Sequence, residues 1–298
     1  MDTAILFAFD EGYLQPGLVA VSSALRHSPS VVPVFVASMA LSDESEDRLR
    51  ALDPKRMHLK DVTRQVNELA SQLPPHRRHP PVSWARLLVK DIVPETVSRV
   101  LYLDADTLTR KPLLDLLEVD LHGKMLGACV DHLTKTHGQR GDAFCDITKS
   151  SPSAAYFNSG VMVIDLEKWR QEKAERRVFE IASKQLFKFV DQDAHNLAHW
   201  KDWYPLPQYK WNFPATDSFG AEHASIVHFV GPKPWNTPSL CWLFQREFQE
   251  AASEVGWHLR LPLALQVKRR LRWLVPTGPT NHRYSKIRPG YSFTLDGS

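Results

Sequence analysis

The stretch VSRVLYLDADTLTRKPLLDLL, residues 97–117, decides the fold class. Its apolar run, Val100–Leu103, is followed directly by two carboxylates, Asp104 and Asp106, with one residue between them. A short apolar run bounded by polar residues is typical of a buried strand. The sequence therefore predicts a buried strand whose end holds two acids on a rigid backbone.

Apolar runs alternate with helix-like segments on both sides of this strand. That alternation is typical of an α/β fold with a mostly parallel central sheet. The predicted strands cover residues 3–9, 31–38, 57–63, 99–103, 124–131, 156–166 and 224–231. The predicted helices cover residues 14–26, 41–52 (with Ser42 as the N-cap), 83–92 and 111–117, and another begins near residue 191. We expect one α/β domain over residues 1–250.

The composition is that of an ordinary globular protein, since 43% of the 298 residues are hydrophobic and 24% are charged. The three cysteines, Cys129, Cys145 and Cys241, are odd in number and lack CxxC spacing, which argues against a disulfide framework or a cysteine metal site. The N-terminus shows no signal-peptide pattern, and no run approaches the roughly 20 apolar residues of a membrane span. We therefore expect a reduced, cytoplasmic protein.

Two carboxylates at a strand end can converge on one cation. Oxygen ligands favour hard ions such as Mg²⁺ and Mn²⁺, which usually complete their coordination with phosphates. A solvated pair or a helix cap is the ordinary alternative. A third interpretation is the aspartyl phosphatase pattern. That pattern has a threonine two residues after the second acid, where this chain has Leu108, and it follows the first strand.

A second group of polar residues lies in SIVHFVGPKPW, residues 225–235. His228 follows an apolar run, and a neutral imidazole can bind a metal. Gly231 permits close backbone approach, and Lys233 can neutralise a phosphate. The alternative is that His228 is only a core histidine with satisfied hydrogen bonds.

Six segments occur in one order along residues 3–236. They are FAFDEGY, SWARLLVKDIVP, RVLYLDADTL, YFNSGVMVIDLEKW, DQDAHNLA and HFVGPKPW. Together they resemble the retaining glycosyltransferases of family 8, and above all the bacterial galactosyl- and glucosyltransferases that extend lipopolysaccharide or lipo-oligosaccharide chains. The resemblance implies a GT-A fold, a UDP-galactose or UDP-glucose donor, a glycan acceptor, and Mn²⁺ as the metal with Mg²⁺ as the alternative.

The resemblance also implies roles for individual residues of this chain. The implied metal ligands are Asp104, Asp106 and His228. The residues implied for UDP-sugar binding are Asp10 and Tyr13 at the uracil, Arg86, Gly231 and Lys233 at the diphosphate, Asp131, Asn158, Asp191 and Gln192 at the sugar, and Ala105. The catalytic candidates are Gln192, Asp191 and Asp193. Either acid could form a covalent glycosyl intermediate, whereas a glutamine is a poor nucleophile and favours front-face attack by the acceptor.

Two departures from the family pattern keep a catalytically silent sugar-nucleotide-binding protein open. Gly12 stands where relatives often have asparagine, and GPKPW has one residue fewer between its glycine and Lys233 than is usual. Each site residue also has a structural alternative. These alternatives are a packing role for Tyr13, a surface position for Arg86, a bend cap for Asn158, and helix N-terminal acids for Asp191 and Asp193.

The C-terminal segment is basic. Residues 255–298 carry eight Lys/Arg and one acid, a net charge of +7, which leaves −4 for residues 1–254. Within it, ALQVKRRLRWLV, residues 264–275, can form a helix with one apolar and one basic face, which suits an anionic membrane surface. Nucleic-acid binding and a helix packed on the domain are the alternatives. We expect residues 251–298 to be a basic amphipathic tail that attaches the protein to the inner face of the cytoplasmic membrane, with no nucleic-acid partner.

Overall fold

The structure is a computed structural model that describes residues 2–75, 80–236 and 241–259. Its strands are β1 Asp2–Asp10, β2 Val34–Met39, β3 Met57–Asp61, β4 Val97–Leu103, β5 Thr107–Thr109, β6 Leu126–Val130, β7 Phe157–Asp165, β8 Trp203–Leu206, β9 Phe213–Pro214 and β10 Ile226–His228. Its α-helices are α1 Leu14–His27, α2 Asp43–Arg50, α3 Thr63–Ala70, α4 Val89–Ile92, α5 Leu114–Leu117, α6 Asp142–Asp146, α7 Leu166–Gln171, α8 Ala174–Ala182, α9 Val190–His199, α10 Gln208–Trp211 and α11 Trp242–Glu254.

Seven strands form the main sheet in the order β3-β2-β1-β4-β7-β6-β8. The pairs from β3 to β4 and the pair β6–β8 are parallel, while β7 runs antiparallel to both of its neighbours. The prediction of an α/β fold with a mostly parallel sheet is therefore confirmed. Because β7 is reversed, its amino end lies at the same edge of the sheet as the carboxyl ends of β1, β4 and β6.

Helices cover both faces of this sheet. Along β4, Val100 and Tyr102 pack into one core cluster, which also contains side chains of α7, α8 and α9. Leu101 and Leu103 face the other cluster, which contains side chains of α1. The alternation follows from the two-residue period of a strand, and the two-sided burial explains why the run is apolar throughout. The predicted buried strand is confirmed.

The segment predicted as a last core strand, residues 224–231, belongs instead to a second sheet with the order β5-β10-β9. Strand β5 begins one residue after Asp106 and pairs antiparallel with β10, so that Thr107 lies opposite His228. The backbone N–H of Phe229 donates to the Asp106 carbonyl at 2.9 Å. The small sheet therefore brings the histidine motif beside the paired carboxylates.

The predicted helices are confirmed at α1 and at α2, where the Ser42 hydroxyl accepts from the Ser45 N–H as the N-cap. The helix predicted over residues 83–92 is instead a 3₁₀ turn, Pro81–Leu88, followed by the short α4. In a 3₁₀ turn residues three apart lie one above the other, and Trp84 and Leu87 both enter the same core cluster. Arg86, between them, is left to face the site described below.

Helix α11 continues through residue 250, and the compact unit that contains it extends to Leu259. Its side chains Phe244, Phe248 and Ala252 pack with Val227 in a third core cluster. None of the helices among the described residues is long and apolar enough to cross a bilayer. The amphipathic helix predicted at 264–275 lies outside the described residues, as does most of the predicted basic tail.

Candidate active site

A cavity of about 420 Å³ opens at the edge of the main sheet where β1, β4 and β6 end and β7 begins. Ligands of open α/β sheets bind in this position, outside the carboxyl ends of parallel strands. The predicted site residues that line it are Tyr13, Arg86, Asp104, Ala105, Asp106, Asp131, Asn158, Asp191, Gln192, His228, Gly231 and Lys233. Asp10 and Asp193 were also predicted as site residues and are not among the lining residues.

Asp104, Asp106 and His228 offer ligand atoms that all lie within 4.8 Å of one another. His228 Nε2 lies 3.1 Å from Asp106 Oδ1 and 3.7 Å from Asp104 Oδ2. Two carboxylates and an imidazole are a suitable donor set for a divalent ion that also binds phosphate oxygens. The residues present therefore fit the metal that the sequence predicts, and among the described residues no other group of His, Cys, Asp or Glu is arranged in this way.

His228 and Asp104 can lie close together because residue 160 has no side chain. A Cβ at Gly160 would lie 2.2 Å from His228 Cε1 and 2.7 Å from Asp104 Oδ2, which no real contact allows. The Gly160 carbonyl also accepts from the Asp104 N–H at 2.8 Å. The backbone of β7 thus forms the floor under the two ligands.

The carboxylate of Asp106 is ionised in this setting. Burial alone would raise its pKa, but the His228 ring and the Lys233 ammonium outweigh burial and lower the pKa below its ordinary value. Lys233 Nζ contacts Asp106 Oδ2 and donates to the Phe229 carbonyl at 2.8 Å. The shortened GPKPW motif thus still places this lysine in the cavity, next to the predicted metal ligands.

Arg86 is a buried residue of the cavity wall and not a surface arginine. Its guanidinium donates to Asp104 Oδ1 at 3.0 Å and to the Ser159 carbonyl at 2.9 Å, and it lies 3.1 Å from Asp191 Oδ2. It also stacks on the ring of Tyr102, at 4.5 Å from the ring centroid. The Tyr102 hydroxyl donates to the same Asp104 oxygen at 3.0 Å. Arg86 therefore orients one predicted metal ligand and one predicted sugar-binding acid at once.

The two acids on either side of Gln192 face different surroundings. Asp191 lines the cavity, and burial raises its pKa to about 6 although the Arg86 charge acts in the opposite direction. Asp193 is fully buried outside the cavity lining. Its carboxylate accepts from Arg140 at 2.9 Å and from the Tyr156 hydroxyl at 2.7 Å. The structure thus places Asp191 in the cavity wall and Asp193 in a buried ion pair outside it.

Gln192 is held by its own hydrogen bonds at the wall of the cavity. Its Oε1 accepts from the Ser159 N–H at 3.1 Å, while its Nε2 donates to the Tyr156 hydroxyl at 3.3 Å. Asp131 lies beside it and accepts at Oδ2 from Asn158 Nδ2 at 2.9 Å. These side chains form the part of the cavity that the resemblance assigns to the donor sugar.

At the predicted uracil end, the structure separates the two assigned residues. Tyr13 lines the cavity and packs edge-to-face with Trp235, with ring centroids 6.0 Å apart. Asp10 caps the turn that carries Tyr13, since its Oδ1 accepts from the Tyr13 N–H at 3.2 Å. In this structure Asp10 positions Tyr13 rather than lining the cavity itself.

A comparison with known protein families matches the sequence model of glycosyl transferase family 8 to residues 4–238. The chain belongs to this family. Among family relatives, the probable galacturonosyltransferase-like 5 of Arabidopsis thaliana is 32% identical over 184 residues, which are 58% of this chain and 51% of that protein. Glycosyltransferase GlyF of Streptococcus pneumoniae is 25% identical over 273 residues, 86% of this chain and 63% of GlyF. The chain spans about half the length of the galacturonosyltransferase-like proteins 5 and 6 of Arabidopsis thaliana that it matches.

Solved structures of glycosyltransferases share the fold of this family 8 chain. The galactosyltransferase LgtC, in complex with donor and acceptor sugar analogs, superposes with a TM-score of 0.70 at 24% identity, covering 89% of this chain and 99% of LgtC. GlyE of Streptococcus pneumoniae superposes with a TM-score of 0.61 at 22% identity, covering 91% of this chain and 63% of GlyE. At these identities the likeness shows the GT-A fold.

Several residues of the site escaped the sequence analysis. Tyr102 stands two residues before Asp104, so continuing the two-residue period of β4 by one residue could have revealed it. Gly160 and Asn212 contact the metal-ligand cluster only through the pairing of distant segments. No local signal in the sequence marks these two positions.

Proposed function

We propose that this family 8 chain is a metal-dependent, retaining glycosyltransferase that moves galactose or glucose from a UDP-sugar to a saccharide acceptor. The observation that carries the proposal is the convergence of Asp104, Asp106 and His228 in one cavity that also contains Lys233 and Tyr13. A carboxylate–histidine site beside a lysine suits a diphosphate, and an aromatic ring in the same cavity suits a base.

The predicted metal would be held by Asp104, Asp106 and His228, and when bound it supplies positive charge to the diphosphate leaving group. Lys233 contributes a second positive charge on the same side of the cavity. Gly231 has a φ of +82° and carries no side chain, which leaves room for phosphate oxygens against the backbone. These residues favour departure of UDP, because charge stabilisation acts where negative charge develops.

The charges of the cavity favour a neutral hexose over a hexuronic acid. Among the described lining residues the Lys and Arg side chains are Arg86 and Lys233, and both are already paired with carboxylates. The part assigned to the sugar contains Asp131 and Asp191. A uronate would add a third carboxylate there, and like charges in a partly buried site repel one another.

For the transfer step we propose front-face attack. The acceptor hydroxyl bonds to C1 on the side from which UDP leaves, the bond from C1 to the β-phosphate oxygen breaks, and that phosphate takes the hydroxyl proton. Asp193 is occupied by Arg140 and Tyr156, and Asp191 is held by Arg86, which argues against either as a free nucleophile. The Gln192 amide stays near the sugar as a neutral hydrogen-bonding group.

The test is UDP release from a panel of donors with Mn²⁺. The panel contains UDP-galactose, UDP-glucose, their N-acetyl derivatives, UDP-galacturonic acid and UDP-glucuronic acid, with Asp106→Asn as the metal-site variant. We expect release from one neutral hexose donor, and its loss in EDTA and in the variant. Binding of donors without any turnover would instead favour the silent sugar-nucleotide-binding protein. Hydrolysis of simple phosphate esters would favour the phosphatase.

We further propose a lipopolysaccharide-type glycan as the acceptor and attachment to the inner face of the cytoplasmic membrane through the basic tail. Val255, Trp257 and Leu259 pack against the third core cluster, so a truncation that tests the tail should remove only residues 260–298. We expect the truncated protein to leave the membrane fraction and to keep UDP-sugar hydrolysis. Unchanged fractionation would contradict the membrane proposal.

A further inference from the structure

We propose that Asn212 is a positioning residue of the metal site, which fixes the tautomer of His228 through a chain of buried side-chain amides so that Nε2 is free to bind the ion. This inference rests on the proposed function. Asn212 is 4% exposed and is not among the cavity-lining residues, so it acts through His228 and not on a substrate.

Three side-chain hydrogen bonds connect the sugar end of the cavity to the metal ligand. Asn158 Nδ2 donates to Asp131 Oδ2 at 2.9 Å, Asn212 Nδ2 donates to Asn158 Oδ1 at 2.9 Å, and His228 Nδ1 lies 3.0 Å from Asn212 Oδ1. All four residues are buried, with at most 7% of their surface exposed. We call the series Asp131, Asn158, Asn212 and His228 the amide relay.

The donor and acceptor roles in the amide relay are fixed at the Asp131 end, by groups that can only accept or only donate a hydrogen bond. A carboxylate only accepts, so Asn158 must present its NH₂ to Asp131. A backbone N–H only donates, and the Gly160 N–H points at Asn158 Oδ1 at 2.9 Å. The two constraints agree, so the amide of Asn158 has one orientation.

The orientation of the Asn158 amide determines that of Asn212, and through it the position of a proton on His228. Because Asn158 offers its oxygen, Asn212 must offer its NH₂, which leaves Asn212 Oδ1 facing His228 Nδ1. Nδ1 must then carry the proton, and a neutral imidazole has only one. In the neutral ring that binds a metal, the lone pair is then left on Nε2, the nitrogen that faces Asp104 and Asp106; before an ion binds, Nε2 lies 3.1 Å from Asp106 Oδ1, at hydrogen-bond distance. The reverse orientation would set oxygen against oxygen at Asp131 and N–H against N–H at Gly160.

A hydrogen bond on the distal nitrogen of a metal-binding histidine orients the ring and increases the strength of the ligand. Asn212 lies at the end of α10, one residue before β9, and β9 pairs with β10 next to His228. The small sheet thus delivers both the ligand and the group that orients it. We infer that the loss of Asn212 weakens metal binding even when no nucleotide is present.

The test is a calorimetric titration of metal-free protein with Mn²⁺ alone, in wild type, Asn212→Ala and Asn212→Asp. Asn212→Ala leaves Nδ1 without its acceptor, and we expect about 10- to 100-fold weaker Mn²⁺ binding, the usual cost of removing such a partner. Asn212→Asp gives up the N–H that Asn158 Oδ1 accepts but still accepts from Nδ1, so we expect its affinity to stay within about threefold of wild type. If Asn212 served packing alone, the aspartate variant would be the more damaged of the two, because a buried extra carboxylate destabilises the fold more than alanine does. Mn²⁺ binding would then be weaker in Asn212→Asp than in Asn212→Ala.

Asn196→Ala is the matched control. The Asn196 side chain is fully buried and bonds the backbone N–H and C=O of Phe157 at 2.7 and 2.8 Å, outside the relay. We expect this variant to lose stability and to keep wild-type Mn²⁺ affinity. If Asn212→Ala does not fold, Asn212→Leu replaces it, since leucine fills a similar volume without an acceptor.

Two results would overturn the relay while leaving the proposed function intact. They are wild-type Mn²⁺ affinity in Asn212→Ala or its leucine substitute, and equal loss of affinity in the alanine and aspartate variants. A wild-type protein that binds no Mn²⁺ would overturn both the relay and the proposed function. Loss in the alanine variant with retention in the aspartate variant is the result that the relay requires.

Discussion

The predicted metal ligands are held in place by hydrogen bonds and ion pairs with neighbouring protein groups. Asp104 accepts from Arg86 and Tyr102, and its backbone N–H is bound by Gly160. Asp106 is bound by His228 and Lys233. Ligands that are preorganised in this way lose little conformational freedom when they bind a cation, and small changes behind them should affect binding strongly.

Gly160→Ala tests the close approach of β7 to the metal ligands. A Cβ at this position would overlap the His228 ring at 2.2 Å, so the ring must shift away from the two carboxylates. We expect Mn²⁺ affinity to fall by at least about 10-fold, measured by calorimetry on the metal-free protein. Val161→Ala on the same strand points into the core and serves as the control. Equal Mn²⁺ affinity in the two variants would contradict this account.

Asp193→Asn separates a structural acid from a catalytic one. Asp193 is fully buried and paired with Arg140, and breaking a buried pair on one side is destabilising. We expect a loss of roughly 3 kcal/mol in the free energy of unfolding, measured by urea denaturation. A variant as stable as wild type but without activity would show that Asp193 acts in the reaction itself.

At the scale of elements, α9 carries chemistry on one side and a histidine core on the other. Its residues Asp191 and Gln192 face the cavity, whereas His195 and His199 are fully buried and stack beside Trp169. Neither ring nitrogen of His195 has a hydrogen-bond partner among the described residues. Burial of an imidazole without a partner disfavours its charged form.

The pH dependence of stability follows from α9. Burial lowers the pKa of His195 to about 3. Between about pH 3 and pH 6.5 the unfolded chain therefore binds a proton at this histidine and the folded protein does not. This histidine therefore contributes stability above the ordinary pKa of about 6.5 that is lost progressively between about pH 6.5 and pH 3. We expect the protonation of this histidine in the unfolded chain to lower the free energy of unfolding by about 2 kcal/mol when the pH falls from 7 to 5.

Asp191 acts with the opposite sign, because its folded pKa is raised to about 6 and its protonation in acid stabilises the fold. Urea denaturation of wild type and His195→Leu at pH 7 and pH 5 isolates the histidine, since Asp191 is common to both. The exposed His223→Gln is the control for removing a histidine side chain from the surface instead of from the core. An equal pH dependence in wild type and His195→Leu would contradict the assignment.

At the scale of the whole molecule, the site exists because one strand of the main sheet is reversed. Strand β7 enters antiparallel between β4 and β6, so its first residues meet the carboxyl ends of both neighbours. The small sheet then brings β9 and β10 to this edge and adds His228. The cavity therefore collects side chains from segments that span residues 8–233.

Much of this arrangement was predictable because the two-residue period and the apolar runs report burial directly. The strand before Asp104 and the strand before His228 both stood out in this way, and so did the chemistry at their ends. What the pattern could not reveal was which sheet the second strand joins. The three residues of β10 are buried like those of a central strand. Only the pairing of β10 with β5 shows that they belong to the small sheet.

The roles of Asp191 and Asp193 were not separable from the sequence. Both fall in the first turn of α9, yet residues two apart on a helix point in directions about 160° apart. Which of them faces the cavity depends on the rotation of the helix against the sheet. Asn212 was missed for a similar reason, because its partners Asn158 and His228 lie 54 and 16 residues away along the chain.

The most direct test of the central claim is a calorimetric titration of UDP into the protein, with Mn²⁺ and with EDTA, in wild type and in Asp106→Asn. The account predicts clear UDP binding by wild type with Mn²⁺, and its loss in EDTA and in the variant, because the diphosphate needs the ion that Asp104, Asp106 and His228 hold. UDP binding of equal strength in EDTA, or in Asp106→Asn with Mn²⁺, would contradict it.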